Sequence, residues 1–376
     1  ASTVLSQLIE QTNAKAVYFS RGYAPWAGEL EAKVAAACDR AEIDCRRFSG
    51  FLLHEPESIR TGSDGPYKVY TPFSRKCLSR DLKRLPRPVP AKIDFYPKDV
   101  PSDNLDDLKL YRAQPDWATR FSERWSPGET GAHKKLALFL EHGVADYHQA
   151  RDLPAVSGTS RLSPHLHFGE ISPLQCWTAT RHAMAAANNS IDRGGQTFEK
   201  ELLWREFSYH LLHHWPSLPT DPFKPAFSSF PWRDDAEQLQ CWKKGQTGYP
   251  IVDAGMRELW ATGWMHNRVR MIVASFLVKN LRLSWLQGEQ WFWDTLVDAD
   301  IGANSASWQW VAGCGADAAP YFRIFNPVLQ GEKFDRQGAY VREWVPELRA
   351  MPAKFIHKPW SAPADVLADA GVVLGG

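Results

Sequence analysis

The chain has 376 residues, 44% hydrophobic and 23% charged, with a formal net charge of +1. That length can bury sizeable cores and predicts two domains, while the near-neutral balance excludes a uniformly basic nucleic-acid binder, so any such site must be a local patch. The six cysteines lack metal-ligand spacing and no apolar run approaches 18 residues, which predicts reduced thiols in a cytoplasmic setting, no metal and no membrane span.

In chain order, residues 4–10 (VLSQLIE) predict a helix and 16–19 (AVYF) a short buried strand. Residues 28–41 (GELEAKVAAACDRA) predict a second helix, and 43–47 a second strand. This alternation implies a parallel sheet with crossover helices. Between 83 and 128, Pro86, Pro88, Pro90, Pro97 and Pro101 forbid a regular helix, so the stretch reads as an extended linker. From Glu129 the pattern turns helical, and Leu136, Leu138, Phe139 and Val144 open an apolar stripe.

Ser163-Pro164 and Ser172-Pro173 each read as a helix start, a capping hydroxyl followed by proline at the first helical position. The first follows Gly158-Thr159-Ser160, and free N–H groups beside hydroxyls suit a pyrophosphate. Ser-Pro starts are common and most bind nothing, so the residues alone leave both readings open. Residues 197–214 predict a long helix on which Glu201, Trp204, Arg205 and Ser208 share a face. Either Glu201 and Arg205 form an exposed i,i+4 ion pair, or that face floors a cavity. A later helix carries Asn267 and Met271 on one face and turns Arg268 and Arg270 elsewhere. Those arginines read as solvated charge or, with Lys279 and Arg282, as phosphate grips. The stretch Ile272 to Val278 reads as buried helix.

The segment from Asp298 to Pro327 organises the rest. Asp298 and Asp300 stand two apart, Asn304 follows one helical turn after Asp300, then come Trp308-Gln309-Trp310, and Tyr321-Phe322-Arg323 near the end. Small residues let a backbone approach a flat ligand, and acids with an amide give that ligand directional hydrogen bonds. A packing segment with a solvated acid pair fits the spacing equally well. The chain's seventeen tryptophans read as packing units, stacking surfaces or an electron path.

Five blocks, GPYKVYTPF (65–73), RDLPAVSGTSRLSPHLHFGEISP (151–173), ELLWREF (201–207), GYPIVDAGMRELWATGWMHNRVRM (248–271) and the 298–327 segment, resemble the DNA photolyase/cryptochrome family in the same order and over nearly the whole chain. Within it they look most like the bacterial enzymes for cyclobutane pyrimidine dimers. The resemblance implies an α/β N-terminal domain with a Rossmann-like parallel sheet, here incomplete, and a larger all-α FAD-binding domain. Residues 1–82 then form the antenna-type unit, 83–128 the linker and 129–376 the catalytic unit. Relative to the family, the start is expected to lack an opening strand and the end a last helix.

The implied activity is light-driven repair, by electron transfer from excited reduced FAD to a lesion flipped out of DNA. Tyr147, Arg151, Thr159, Ser160, Arg161, Leu162, Ser163, Arg205, Asn267, Asp298, Asp300 and Asn304 match the cofactor contacts, with Arg151 expected to pair with Asp298 and Asn304 to face flavin N5. Glu201, Trp204, Asn267, Met271 and Asn304 match the catalytic positions, and Trp204, Arg268 and Arg270 the DNA contacts. Trp308, Trp285 and Trp232 match a chain that carries electrons to the flavin. Phe198 stands where relatives often have Trp. A second chromophore of folate type is expected, although Asp64-Gly65 departs from one folate contact, and the protein is expected to act as a monomer on DNA containing pyrimidine dimers. The alternatives are a blue-light receptor of the cryptochrome type, a six-four photoproduct enzyme, which would carry His at the positions of Asn267 and Met271, and a single-strand binder that stacks bases on aromatics without catalysis.

Overall fold

The computed structural model describes residues 2–82, 84–110, 117–318 and 324–375. The chain begins α1 (Ser2–Thr12), β1 (Ala16–Ser20), α2 (Ala27–Arg40), β2 (Asp44–Phe48), as the alternation predicts. The strands pair in parallel, Ala16 opposite Asp44 and Ser20 opposite Phe48. The first strand is not buried as expected. Tyr18 and Phe48 stay half exposed and meet edge to face at 5.6 Å. An apolar strand is buried only when a second layer covers it, and here the covering is partial. Helix α3 (Tyr70–Leu78) turns inward and buries Phe73 and Cys77.

The proline-rich stretch is extended apart from a 3₁₀ turn at Leu105–Leu108 and the one-turn α4 (Phe121–Arg124). Residues 83 and 111–116 of it lie outside the described residues. Two indoles fasten its end: Trp117 stacks on Trp260 at 4.7 Å, and Trp125 Nε1 donates to the Thr262 carbonyl at 2.8 Å. Helix α5 (Glu129–Leu138) then runs into a π turn at Phe139–Gly143. Leu136, Phe139 and Val144 are buried as predicted, but Leu138 is 47% exposed. Two residues beyond Leu136 is about 200° around the helix, so the stripe cannot hold both.

Short helices α6 (Tyr147–Ala150) and α7 (Ser163–His167) lead to α8 (Pro173–Ala186) and the 23-residue α9 (Asp192–His214). Ser172 caps α8 as predicted, accepting from Gln175 N while Gln175 Oε1 accepts from Ser172 N. Ser163 does not cap α7: it is itself the first helical residue, after Leu162, and no side chain caps that end. Helices α10 (Ala236–Lys244), α11 (Pro250–Thr262), α12 (Asn267–Ser275), α13 (Trp285–Thr295) and α14 (Ile301–Ala312) pack around a core that includes Val252, Val273, Leu277 and Trp242. A π turn at Phe276–Asn280 extends α12, which keeps the Ile272–Val278 stretch buried. Helices α15 (Pro327–Phe334), α16 (Ala339–Trp344) and α17 (Ala364–Asp369) complete the described chain.

Helix α9 is the centre. It touches α3, α6, α8 and α14. Leu203, Phe207 and Leu212 on it share a core with Leu52, Ile59 and Phe73, while Phe198 and Leu202 pack with Leu136, Phe139 and Leu162. A helix buried on several sides can present a precise fourth side, and that side meets α14 across a cavity.

Candidate functional site

A cavity of about 560 Å³ opens between α9, α12, α14 and the turn before α7. Its wall carries Tyr147, Arg151, Thr159, Ser160, Arg161, Leu162 and Ser163 from one side. Glu201, Trp204 and Arg205 of α9 face Asn267, Arg268, Arg270 and Met271 of α12, and Asp298, Asp300, Asn304 and Trp308 close it. Residues spread over 160 positions of sequence therefore converge on one space. Trp285 and Trp232 lie behind it, while Tyr321, Phe322 and Arg323 fall outside the described residues.

The acid pair is buried, not solvated: Asp298 and Asp300 are each 7% exposed. Arg151 does not pair with Asp298. Arg270 Nη2 reaches both Asp298 oxygens at 3.1 and 2.9 Å, and its Nε donates to the Met265 carbonyl. Arg151 turns instead to Glu201 at 2.5 Å. The reason is position: Arg270 is the fourth residue of α12 and reaches the 298 loop, whereas Arg151 ends α6, which packs against α9. Burial raises the Glu201 pKa above the usual carboxylate range, and Arg151 only partly opposes this.

Asp300 caps α14. Its Oδ1 accepts from Ala303 N at 2.8 Å, and its Oδ2 accepts from Tyr209 Oη at 2.6 Å, with His167 Nδ1 at 3.6 Å. Burial alone would raise its pKa, but His167, Arg205, Tyr209 and Ala303 N–H together hold it below the usual value. Asn304 is therefore not a cap. It sits one turn inside α14 and gives Nδ2 to the Glu289 carbonyl at 3.0 Å.

Of the two readings of this α9 face, the exposed Glu201–Arg205 pair is absent and the face lines the cavity. Arg205 Nη1 donates to the Phe51 carbonyl at 2.7 Å, and the guanidinium lies 3.9 Å over the Phe51 ring. Arg268 and Arg270 are not solvated surface charges: Arg268 binds Asp152 at 2.7 Å and covers Phe334, and Arg270 is committed to Asp298. Lys279 gives Nζ to the Ala312 carbonyl at 2.8 Å. His266 caps α12 and is buried outside the cavity wall; burial pushes its pKa down to about 4.

Trp308 is 2% exposed, packed edge-on to Phe292 and lying so close to Gly288 that a Cβ there would stand 2.2 Å from the indole. Trp285 opens α13 in the same core, and Trp232 packs half-buried against it. A parallel bridge between Arg233 and Leu283 draws the Trp232 segment alongside the start of α13. Sequence reasoning gave no role to Trp310, Tyr209 or His167. Trp310 lines the cavity although it is two residues from Trp308, a spacing that puts them on different helix faces. Tyr209 and His167 act through Asp300, and no local pattern announces a contact over 91 residues. Among the described residues no group of His, Cys, Asp and Glu can hold a metal, and all six cysteines are free.

Residues 198–376 match the model of the FAD-binding domain of DNA photolyase, and residues 1–91 match that of DNA photolyase. The chain is 51% identical to a deoxyribodipyrimidine photo-lyase of Agrobacterium fabrum, over 100% of this chain and 78% of that protein. Among solved structures, a bacterial class III photolyase from Agrobacterium tumefaciens superposes with a TM-score of 0.94 at 50% identity, covering 100% of this chain and 77% of that one. A Synechocystis cryptochrome superposes with a TM-score of 0.82 at 30% identity, again over 100% of this chain and 77% of that one.

Proposed function

The chain belongs to the DNA photolyase family, and we propose that its cavity holds FAD and receives a flipped-out cyclobutane pyrimidine dimer, which the enzyme repairs with light. The observation that carries this is the convergence of the 159–163 turn, α9, α12 and the 298–304 segment on one space. The donors in it suit an anionic dinucleotide. Among the described residues, Arg205 Nη2 and Arg268 Nε are buried without a partner, and both side chains line the cavity.

Thr159, Ser160, Arg161, Leu162 and Ser163 would hold the phosphates, with Tyr147 and Arg151 beside them. Arg205, Asp298, Asp300 and Asn304 would hold the ring and sugar, with Asn267 near them. Reduced FAD, when bound, supplies the electron that opens the dimer under light and takes it back. The chain's own residues orient the lesion and exclude water. Trp204 and Met271 give it apolar surface, and Glu201, with its raised pKa, offers a hydrogen bond or proton. Asn267 and Met271 stand where six-four enzymes carry histidine, and His266 is outside the wall, so the lesion side of the cavity has no imidazole and suits cyclobutane dimers and not a six-four lesion. Drawing the lesion out of the duplex costs a few kcal/mol, the general figure for enzymes that flip bases.

Arg268 is the better phosphate contact of the two arginines: it pairs with Asp152 but keeps Nε without a partner among the described residues, whereas Arg270 gives Nη2 to Asp298 and Nε to the Met265 carbonyl. We take 1–82 as the antenna-type unit, 83–128 as the linker and 129–376 as the catalytic unit, in a cytoplasmic monomer. No described helix is long and apolar enough to cross a membrane. A folate-type second chromophore belongs to this reading on family resemblance alone. The test is chemical: denaturation should release one FAD per chain, and blue light should restore a thymine-dimer oligonucleotide to its undamaged form but leave a six-four oligonucleotide unchanged. Release of no flavin after expression with ample riboflavin would reject the reading.

A further inference from the structure

The block GPYKVYTPF stands outside the cavity wall, yet one of its residues touches the wall from behind. Tyr70 stacks on Trp204 with ring centroids 3.6 Å apart and planes 6° from parallel. Trp204 lines the cavity and Tyr70 does not, so Trp204 stands between Tyr70 and whatever the cavity receives. Tyr70 is itself fixed from several sides. Its N–H, one of the free donors at the start of α3, is accepted by Asp317 Oδ2 at 3.0 Å, and its hydroxyl donates to the Lys200 carbonyl at 2.8 Å. Phe207 packs edge-on to both rings, at 5.9 Å from Tyr70 and 6.0 Å from Trp204. Tyr70 is 9% exposed and held at both its backbone N–H and its hydroxyl.

An indole that must stack on an incoming base loses affinity if it has to be ordered at that moment. Here the ordering is done beforehand, by a ring from α3 that is anchored on the α9 backbone and on the loop after α14. We propose that Tyr70 is a positioning residue for lesion recognition: it is the fixed backing plate that holds the Trp204 indole ready to stack on an extruded pyrimidine pair. Asp317 extends the device, because it lines the cavity and caps the helix that carries Tyr70. This rests on the reading of Trp204 as a lesion contact.

The experiment uses the flavin-loaded protein in the dark, with a duplex carrying one thymine dimer and the same duplex undamaged. Tyr70→Ala should weaken dimer binding about 3- to 10-fold, the range that an aromatic pair commands, with undamaged binding and flavin content unchanged. Tyr70→Phe keeps the stack and should bind the dimer nearly as the parent does, which also answers the case in which the alanine variant folds poorly. In a Trp204→Ala background, Tyr70→Ala should have no further effect on the dimer, since the plate then backs nothing. Equal loss of dimer and undamaged binding, or a Tyr70→Ala effect that persists without Trp204, overturns the proposal. If Trp204→Ala alone leaves dimer affinity intact, the lesion role of Trp204 fails and this inference with it. A Trp204 effect without a Tyr70 effect removes only the backing plate.

Discussion

Arg270 and Asp298 form a buried charge pair in the cavity wall, one guanidinium nitrogen reaching both carboxylate oxygens, and their value depends on both being present. The Asp298 side chain is 3% exposed and that of Arg270 23%. Removing one partner of a buried pair leaves the other charge without compensation, at a cost of about 3 kcal/mol. Arg270→Ala should therefore lower stability in urea by roughly that amount, and adding Asp298→Asn should recover much of it by removing the stranded charge. If the double variant is as unstable as the single one, packing of the Arg270 stem and not charge is at issue. Asn304 makes a different kind of contact. Its amide donates to the Glu289 carbonyl, so an aspartate there would remove the donor and add a negative charge one turn from Asp300. Asn304→Asp should lower repair and change the illuminated absorbance spectrum of the flavin-loaded protein. A spectrum and yield equal to the parent's would make Asn304 a packing residue. At this scale the sequence names the cavity wall well, because i,i+3 and i,i+4 spacing fixes which side chains share a face. It misjudges the partners, as with Arg151 and Asp298, because a partner lies on another element and spacing carries no information about it.

At the scale of elements, α9 joins the α/β segment to the helical part through a buried carboxylate. Glu206 accepts the N–H groups of Leu53 and His54, both at 2.9 Å, and so ties the 51–54 loop to the helix whose other face lines the cavity. Burial pushes its pKa up from 4.5 to about 7, against Arg205 and the two N–H groups, which favour the charged form. A folded-state pKa raised above the unfolded value means that the folded protein holds a proton the unfolded chain has already lost. The stabilisation is therefore full below about pH 4.5 and fades as pH rises towards 7, by up to about 3 kcal/mol. Glu206→Gln cannot titrate, so the parent's advantage over it should be larger at pH 5 than at pH 8 in urea unfolding. An equal difference at both pH values would mean that Glu206 is ionised throughout. Capping hydroxyls before proline made helix starts readable in advance, as at Ser172, whereas Ser163 failed because the chain entered α7 one residue early. The open face of β1 was unreadable for another reason: an apolar strand looks the same in sequence whether or not a layer covers it.

At the scale of the whole molecule, the tryptophans run outward from the cavity wall. Trp308 is buried at the cavity, Trp285 is buried behind it, and Trp232 is half-buried beside the start of α13. The order is set by packing: Gly288 leaves room for Trp308 against α13, and the Arg233–Leu283 bridge brings the Trp232 segment alongside the start of α13. An apolar substitution in this row removes an oxidisable ring while keeping most of the packing, since Phe fills much of the same space. The row therefore predicts a separation of two activities. In light with an external reductant, the parent loaded with oxidised flavin should bleach, and Trp308→Phe should largely lose that bleaching. Trp285→Phe and Trp232→Phe should slow it as well, because each interrupts the same row farther from the cavity. Repair by chemically reduced Trp308→Phe should stay near the parent's, because the lesion contacts proposed on α9 and α12 are untouched. Bleaching at the parent's rate in Trp308→Phe would mean that electrons enter by another path, and loss of both activities would mean that the indole holds the cavity in shape.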